Sequence, residues 1–88
     1  MKLVVSTPAQ LAEILSSARK AKGMTQAEAA SRVGIGQPRL SLLETTATET
    51  ITLNQMLALT ALYGLELCVQ SKGGTNGDEV ADHAQAEW

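Results

Sequence analysis

QAEAASRVGIGQPRLSLL, residues 26–43, is the stretch on which the fold turns. Counting Gln26 as the first position, a small residue (Ala30) falls fifth, Gly34 ninth, and the apolar Leu40 and Leu43 fifteenth and eighteenth. Each residue type has a mechanical reason for its place. Ala30 lets two helices cross closely, and Gly34 takes the left-handed turn conformation that most residues resist. Leu40 and Leu43 lock the later helix onto a core. Just upstream, Thr25-Gln26-Ala27-Glu28 is a capping box, so the earlier helix starts at Thr25. Its inner face is Ala29, Ala30 and Val33, and Gly34 ends it. Gln37-Pro38 begins the next helix with Gly36 near its N-cap. So short a connection forces a sharp crossing and leaves the start of the later helix standing proud of the surface.

Upstream, Thr7 is a plausible N-cap with Pro8 at the first helical position. Leu11, Ile14, Leu15 and Ala18 fall on one helical face. Arg19, Lys20 and Lys22 occupy the last turn, where cations suit the helix dipole or meet phosphates, and Gly23 stops the helix. Downstream, residues 45–52 hold five threonines and read as a loop ending in an N-cap, Thr50 or Thr52. A fourth helix runs from Leu53 to Tyr63. It is apolar on more than one face, with Leu53, Met56 and Leu57 on one side and Leu59, Leu62 and Tyr63 on a neighbouring one, which predicts burial on two sides. Gly64 ends it. Leu65-Glu66-Leu67-Cys68-Val69-Gln70 then alternates like a half-buried strand. Its partner is either the same strand of a second subunit, which also explains the fourth helix, or Leu3-Val4-Val5.

The fold class is therefore mainly α: four helices, one short C-terminal strand paired across a dimer, and a flexible tail. Residues 1–72 form the domain and 73–88 an acidic tail opened by Gly73-Gly74. Composition agrees, because hydrophobic residues make up 44% of the 88 but aromatics only 2%, too few for a β-sandwich. So small a core gains from dimerisation. Net charge is −2, unevenly spread. Residues 1–72 carry seven bases against five acids, a balance of +2, and the tail carries four acids and no base. Cys68 and His83 are the single cysteine and histidine, which excludes an intrachain disulfide and a zinc site of the usual ligand count. No cofactor is expected. No Ser/His/Asp or paired-carboxylate arrangement suggests an enzyme. Without a secretory signal or a membrane-spanning run, the expectation is a cytoplasmic chain.

Residues 8–62 resemble, without gaps, the Xre/Cro-type helix-turn-helix family of phage-repressor-like proteins. A protruding second helix of this kind enters the major groove of DNA. A narrower resemblance is to HipB-type antitoxins of HipBA modules. It rests on the entry Ser6-Thr7-Pro8-Ala9-Gln10-Leu11, the Thr-rich loop, the Leu65-Glu66-Leu67 strand in place of a fifth helix, and the tail ending Glu87-Trp88.

The residues then take expected roles. Gln37, in the first turn of the third helix, is the first candidate base reader, since a Gln amide bonds adenine bidentately. Arg39 reads guanine or clamps a phosphate. Pro38 can pack on a thymine methyl, and Ser41 can meet a phosphate or a base edge. Gly36 matches a position where relatives often carry a polar or basic reader. Leu42 touches thymine methyls or covers the edge of the core. Thr25 and Gln26 resemble the family's phosphate clamp, with Thr45 and Thr46 as a second clamp or as plain turn residues. Arg19 and Glu44 match positions that form an ion pair, phosphate contact being secondary for Arg19. Leu59, Leu62, Tyr63, Leu65, Leu67 and Val69 are the expected dimer interface. Trp88 reads as an anchor for a HipA-type kinase toxin or as a fraying end.

The resemblance thus implies a repressor that binds a palindromic operator in double-stranded DNA as a homodimer and pairs with a kinase toxin. A free-standing Xre-type regulator without a toxin is the nearest alternative, and a pure protein-interaction module a more distant one.

Overall fold

The computed structural model describes residues 2–72 of the chain. The tail over 73–88, His83 and Trp88 lie outside the described residues. Four helices follow one another: α1 Pro8–Ala21, α2 Gln26–Val33, α3 Gln37–Leu43 and α4 Leu53–Leu62, with a 3₁₀ turn Thr48–Thr50 between the last two.

The helices begin where the side chains can cap them. Thr7, Thr25 and Thr52 each accept from the backbone N–H three residues on, and Gln10, Glu28 and Gln55 reach back to the cap residue's own N–H. Thr52, not Thr50, is thus the N-cap of α4. Thr50 sits two residues earlier, at the end of the 3₁₀ turn. The turn between α2 and α3 closes at Gly34, whose φ of +76° lets the Ile35 N–H bond back to the Ala30 carbonyl at 3.0 Å. A side chain at that φ would be strained, so the angle between α2 and α3 depends on this glycine.

The core is Leu15, Ala29, Ala30, Leu40, Leu43, Leu59 and Tyr63, with Leu11, Met24, Val33, Ile35, Ile51 and Leu62 packed around it. Ala29 and Ala30 are both fully buried, as a close helix crossing requires. Leu15, Leu40, Leu43 and Leu59 are the largest side chains without exposure, each worth about 1.5–3 kcal/mol of burial. Leu40 and Leu43 thus hold α3 by its inner face and leave its N-terminal face outside.

The apolar residues of α4 divide between the chain's own core and its surface. Leu59 and Tyr63 belong to the core, whereas Leu53 and Leu57 stay 65% and 45% exposed. Residues 65–70 follow α4 with no strand ladder among the described residues. In this single chain Leu3-Val4-Val5 does not pair with them as a strand either. Lys2, just before that segment, donates to Gln70 Oε1 at 3.5 Å. Leu67 is 44% exposed and Val69 98%.

Candidate nucleic-acid interface

The interface is built outward from one buried ion pair. Arg19, at the end of α1, meets Glu44, just past α3, through two bonds: Nε to Oε2 at 2.9 Å and Nη2 to Oε1 at 3.0 Å. Nη1 of the same guanidinium donates to the Met24 carbonyl at 2.8 Å. Both side chains are over nine-tenths buried. The hydrogen bonds Arg19 donates to Glu44 hold its guanidinium charged, its pKa above the ordinary value, against the opposing effect of burial. Tyr63 lies beside them, and burial, reinforced by the Glu44 charge, raises its phenol above the usual range. Its hydroxyl is buried and finds no hydrogen-bond partner among the described residues.

The ion pair sets the direction of the amides next to it. A carboxylate can only accept, so Gln26 turns its Nε2 toward Glu44 Oε1, at 3.1 Å. That leaves Gln26 Oε1 facing outward, where it accepts from Gln37 Nε2 at 2.8 Å. The chain runs from the buried pair, through the start of α2, to the exposed first residue of α3. Gln37 then keeps its Oε1 and one N–H free, which is the donor–acceptor pair that an adenine edge needs. Gln26 keeps one free N–H beside the outward-facing N–H groups of the first turn of α2.

The remaining predicted residues divide by helical face. Pro38 is exposed next to Gln37, and Ser41, one turn further on, is half-buried. Leu42 is 46% exposed. Thr45 is exposed, and its hydroxyl donates to the Ser41 carbonyl at 2.7 Å. Thr46 is also exposed. Thr25 is occupied by its capping box with Glu28. Gly36 is the N-cap of α3, with an ordinary extended backbone and no side-chain cap. A Cβ there would meet only the Pro38 ring, at 3.6 Å.

Arg39 goes elsewhere. Two positions from Gln37, it cannot share Gln37's face. It turns to α4 and the 3₁₀ turn instead: Nη1 donates to Thr50 Oγ1 at 2.9 Å, and Nη2 to the Thr50 carbonyl at 2.9 Å and Gln55 Oε1 at 3.1 Å. Sequence reading paired Arg39 with Gln37 and gave Thr50 and Gln55 no place in the site. The two-residue spacing was the available signal. It also gave no role to Thr48, buried and bonded to the Leu43 carbonyl at 2.7 Å.

Of the other cations, Lys20 and Arg32 are exposed. Lys22 is also exposed, and its ammonium lies over Gly64, 3.3 Å from where a Cβ would sit. That places a positive charge at the C-terminal end of α4, where the helix dipole favours it. No group of ligands suited to a metal ion occurs among the described residues. No helix of the described residues is long and apolar enough to cross a membrane.

Comparison with known proteins places this geometry in a family. A family model described as a helix-turn-helix domain matches residues 10–69. The fold is similar to that of a HipB–O2 20mer complex, with a TM-score of 0.72 and 26% identity over 83% of this chain and 100% of that one. It is also similar to a HipA–HipB–O2–O3 complex (TM-score 0.72, 25% identity, 82% of this chain and 100% of that one). A HipB–O4 20mer complex matches at a TM-score of 0.71 and 25% identity, over 82% and 100% of the two chains. No curated protein matches significantly in sequence. The chain belongs to the helix-turn-helix domain family, as a HipB-type, Xre-like member.

Proposed function

We propose that the chain is a transcriptional repressor that binds a palindromic operator as a homodimer and serves as the antitoxin to a HipA-type kinase. The observation that carries this reading is the Gln37 amide. It stands at the exposed start of α3, held at 2.8 Å by Gln26, with one acceptor and one donor free. Gln37, Pro38, Ser41 and Gly36 then face the bases. Thr25, Gln26, Thr45 and Thr46 fix the register on the phosphates, as the first-turn N–H groups of α2 are suited to do. Arg19 stays with Glu44 and acts through the fold.

Dimerisation is supported by the apolar surface left over. Leu53, Leu57, Leu67 and Val69 are all more than two-fifths exposed, apolar surface that a second copy would cover. Leu62 and Leu65 are half-buried beside the core, and Leu59 and Tyr63 back the interface from within. Segment 65–70 pairs with its copy across the two-fold axis, which gives one half-site per subunit. The likeness to a HipA–HipB–O2–O3 complex supports a HipA-type partner; that this partner is a kinase and that Trp88 anchors it are part of the proposal.

The test is selection from a randomised duplex library, followed by titration of the enriched duplex at several salt concentrations. The reading predicts a two-fold symmetric consensus and an affinity that falls steeply with salt, as counterion release requires. A library that stays random, or salt-independent binding, refutes it. Sedimentation of the free protein checks the dimer. Co-purification with a HipA-type kinase, lost on truncation of Trp88, checks the partner.

A further inference from the structure

We infer that Arg39 is a positioning residue: it fixes the segment between α3 and α4 against the recognition helix and touches neither base nor phosphate. The inference rests on the DNA-binding reading and gives Arg39 a role within it.

The argument is one of donor geometry. A guanidinium offers two edges that present a pair of parallel N–H donors, and both edges include Nη2. In Arg39, Nη2 already faces two acceptors, the Thr50 carbonyl and Gln55 Oε1, while Nη1 meets Thr50 Oγ1. A bidentate contact with guanine or phosphate has to break at least one of these bonds.

The partners are themselves engaged. Thr50 Oγ1 donates onward to the Ala47 carbonyl at 2.6 Å, and Gln55 Oε1 also accepts the Thr52 N–H at 3.1 Å in the capping box of α4. One planar side chain on α3 therefore ties down the 3₁₀ turn and the first turn of α4 together. Thr45 and Thr46 lie on the stretch between these anchors. Thr45 and Thr48 already bond back to α3, at the Ser41 and Leu43 carbonyls, and Arg39 anchors the far end of that stretch at Thr50. Lysine cannot replace it, because an ammonium lacks the planar fork that meets Thr50 at two atoms.

The test compares wild type, Arg39→Ala, Arg39→Lys, Thr50→Val and the double variant Arg39→Ala with Thr50→Val on the duplex enriched by the wild-type protein. Titrations run at several salt concentrations and at a temperature where circular dichroism shows every variant folded. Both Arg39 variants are expected to bind about five- to tenfold more weakly, the loss of one or two net hydrogen bonds. The salt slope and the base preference stay those of wild type, and Thr50→Val adds little to Arg39→Ala. A slope shallower by about 0.9 per subunit in Arg39→Ala, restored by Lys, would instead show a phosphate contact and overturn the inference. Loss of preference at one base pair would show a base reader and overturn it equally. Failure of wild type to bind any duplex counts against the DNA-binding reading alone. In that case amide exchange of the free protein decides: Thr50 to Thr52 exchange faster in Arg39→Ala if the strut is real, and unchanged rates refute it.

Discussion

Gln26 donates to the Glu44 carboxylate at 3.1 Å, and this bond orients every amide outward from it. Because the carboxylate takes the Gln26 N–H, the Gln26 oxygen must face Gln37, and Gln37 must present its own oxygen to solvent. Replacing Gln26 by Ala leaves Gln37 free to rotate. The expected result is about a five- to tenfold loss of duplex affinity with a weakened preference at the base Gln37 reads. Gln26→Glu sets a second carboxylate against Glu44 and loses more. Fluorescence anisotropy on the enriched duplex and its single-base variants measures both.

Arg19 and Glu44 predict an asymmetric stability pattern. Removing one member strands the other as a buried charge, so Glu44→Ala costs about 3–5 kcal/mol. Replacing both by apolar residues of similar volume, Arg19→Met with Glu44→Leu, costs much less. Urea denaturation of wild type and of these two variants gives the values. A double variant as unstable as Glu44→Ala would show that the pair contributes more than its desolvation removes.

Tyr63 predicts an alkaline limit to stability. Its folded-state pKa is raised, first by burial and then by the Glu44 charge, above the ordinary 10.0. The folded state therefore holds the phenolic proton more tightly than the unfolded one. That contribution is complete below pH 10.0 and is lost as pH climbs through the raised folded value. Tyr63→Phe removes this slope in urea titrations above pH 10.0. Since the hydroxyl has no partner among the described residues, the variant is as stable at neutral pH, or more stable by up to about 1 kcal/mol.

Gly36 predicts a gain of function. Its φ of −74° suits any residue, and an added Cβ meets only the Pro38 ring at 3.6 Å. Gly36→Lys therefore places a cation beside Gln37 without strain. The expected outcome is tighter duplex binding and a salt slope steeper by about 0.9 per subunit if the ammonium finds a phosphate. Titration at three salt concentrations resolves the change.

The local grammar of the fold was open to reading because its signals lie within one turn of the chain. Thr25 with Glu28, Gly34, and the inward Leu40 and Leu43 each act on neighbours three or four residues away, and each stands where the spacing placed it. What distant segments decide was less legible. The apolar α4 gave no sign of which side would be taken by its own core, so Leu59 and Tyr63 went inward while Leu53 and Leu57 stayed out. Segment 65–70 alternates like a strand, yet no ladder forms on it among the described residues, because alternation within one segment does not specify a partner. Arg39 shows the same limit. The direction of its side chain is set by Thr50 and Gln55, eleven and sixteen residues on. The pull of Glu44 on the Gln26 amide, across eighteen residues, has no local trace in the sequence either.

Parallel selection from one randomised duplex library, with wild type and with Gln37→Ala, probes the central claim at its source. Gln37 aimed at a base edge predicts a symmetric wild-type consensus in which Gln37→Ala loses preference at one base pair per half-site, with about 1–3 kcal/mol of discrimination lost there and the other positions unchanged. An identical consensus from both proteins would contradict the account, because the exposed start of α3 would then not be what reads the sequence.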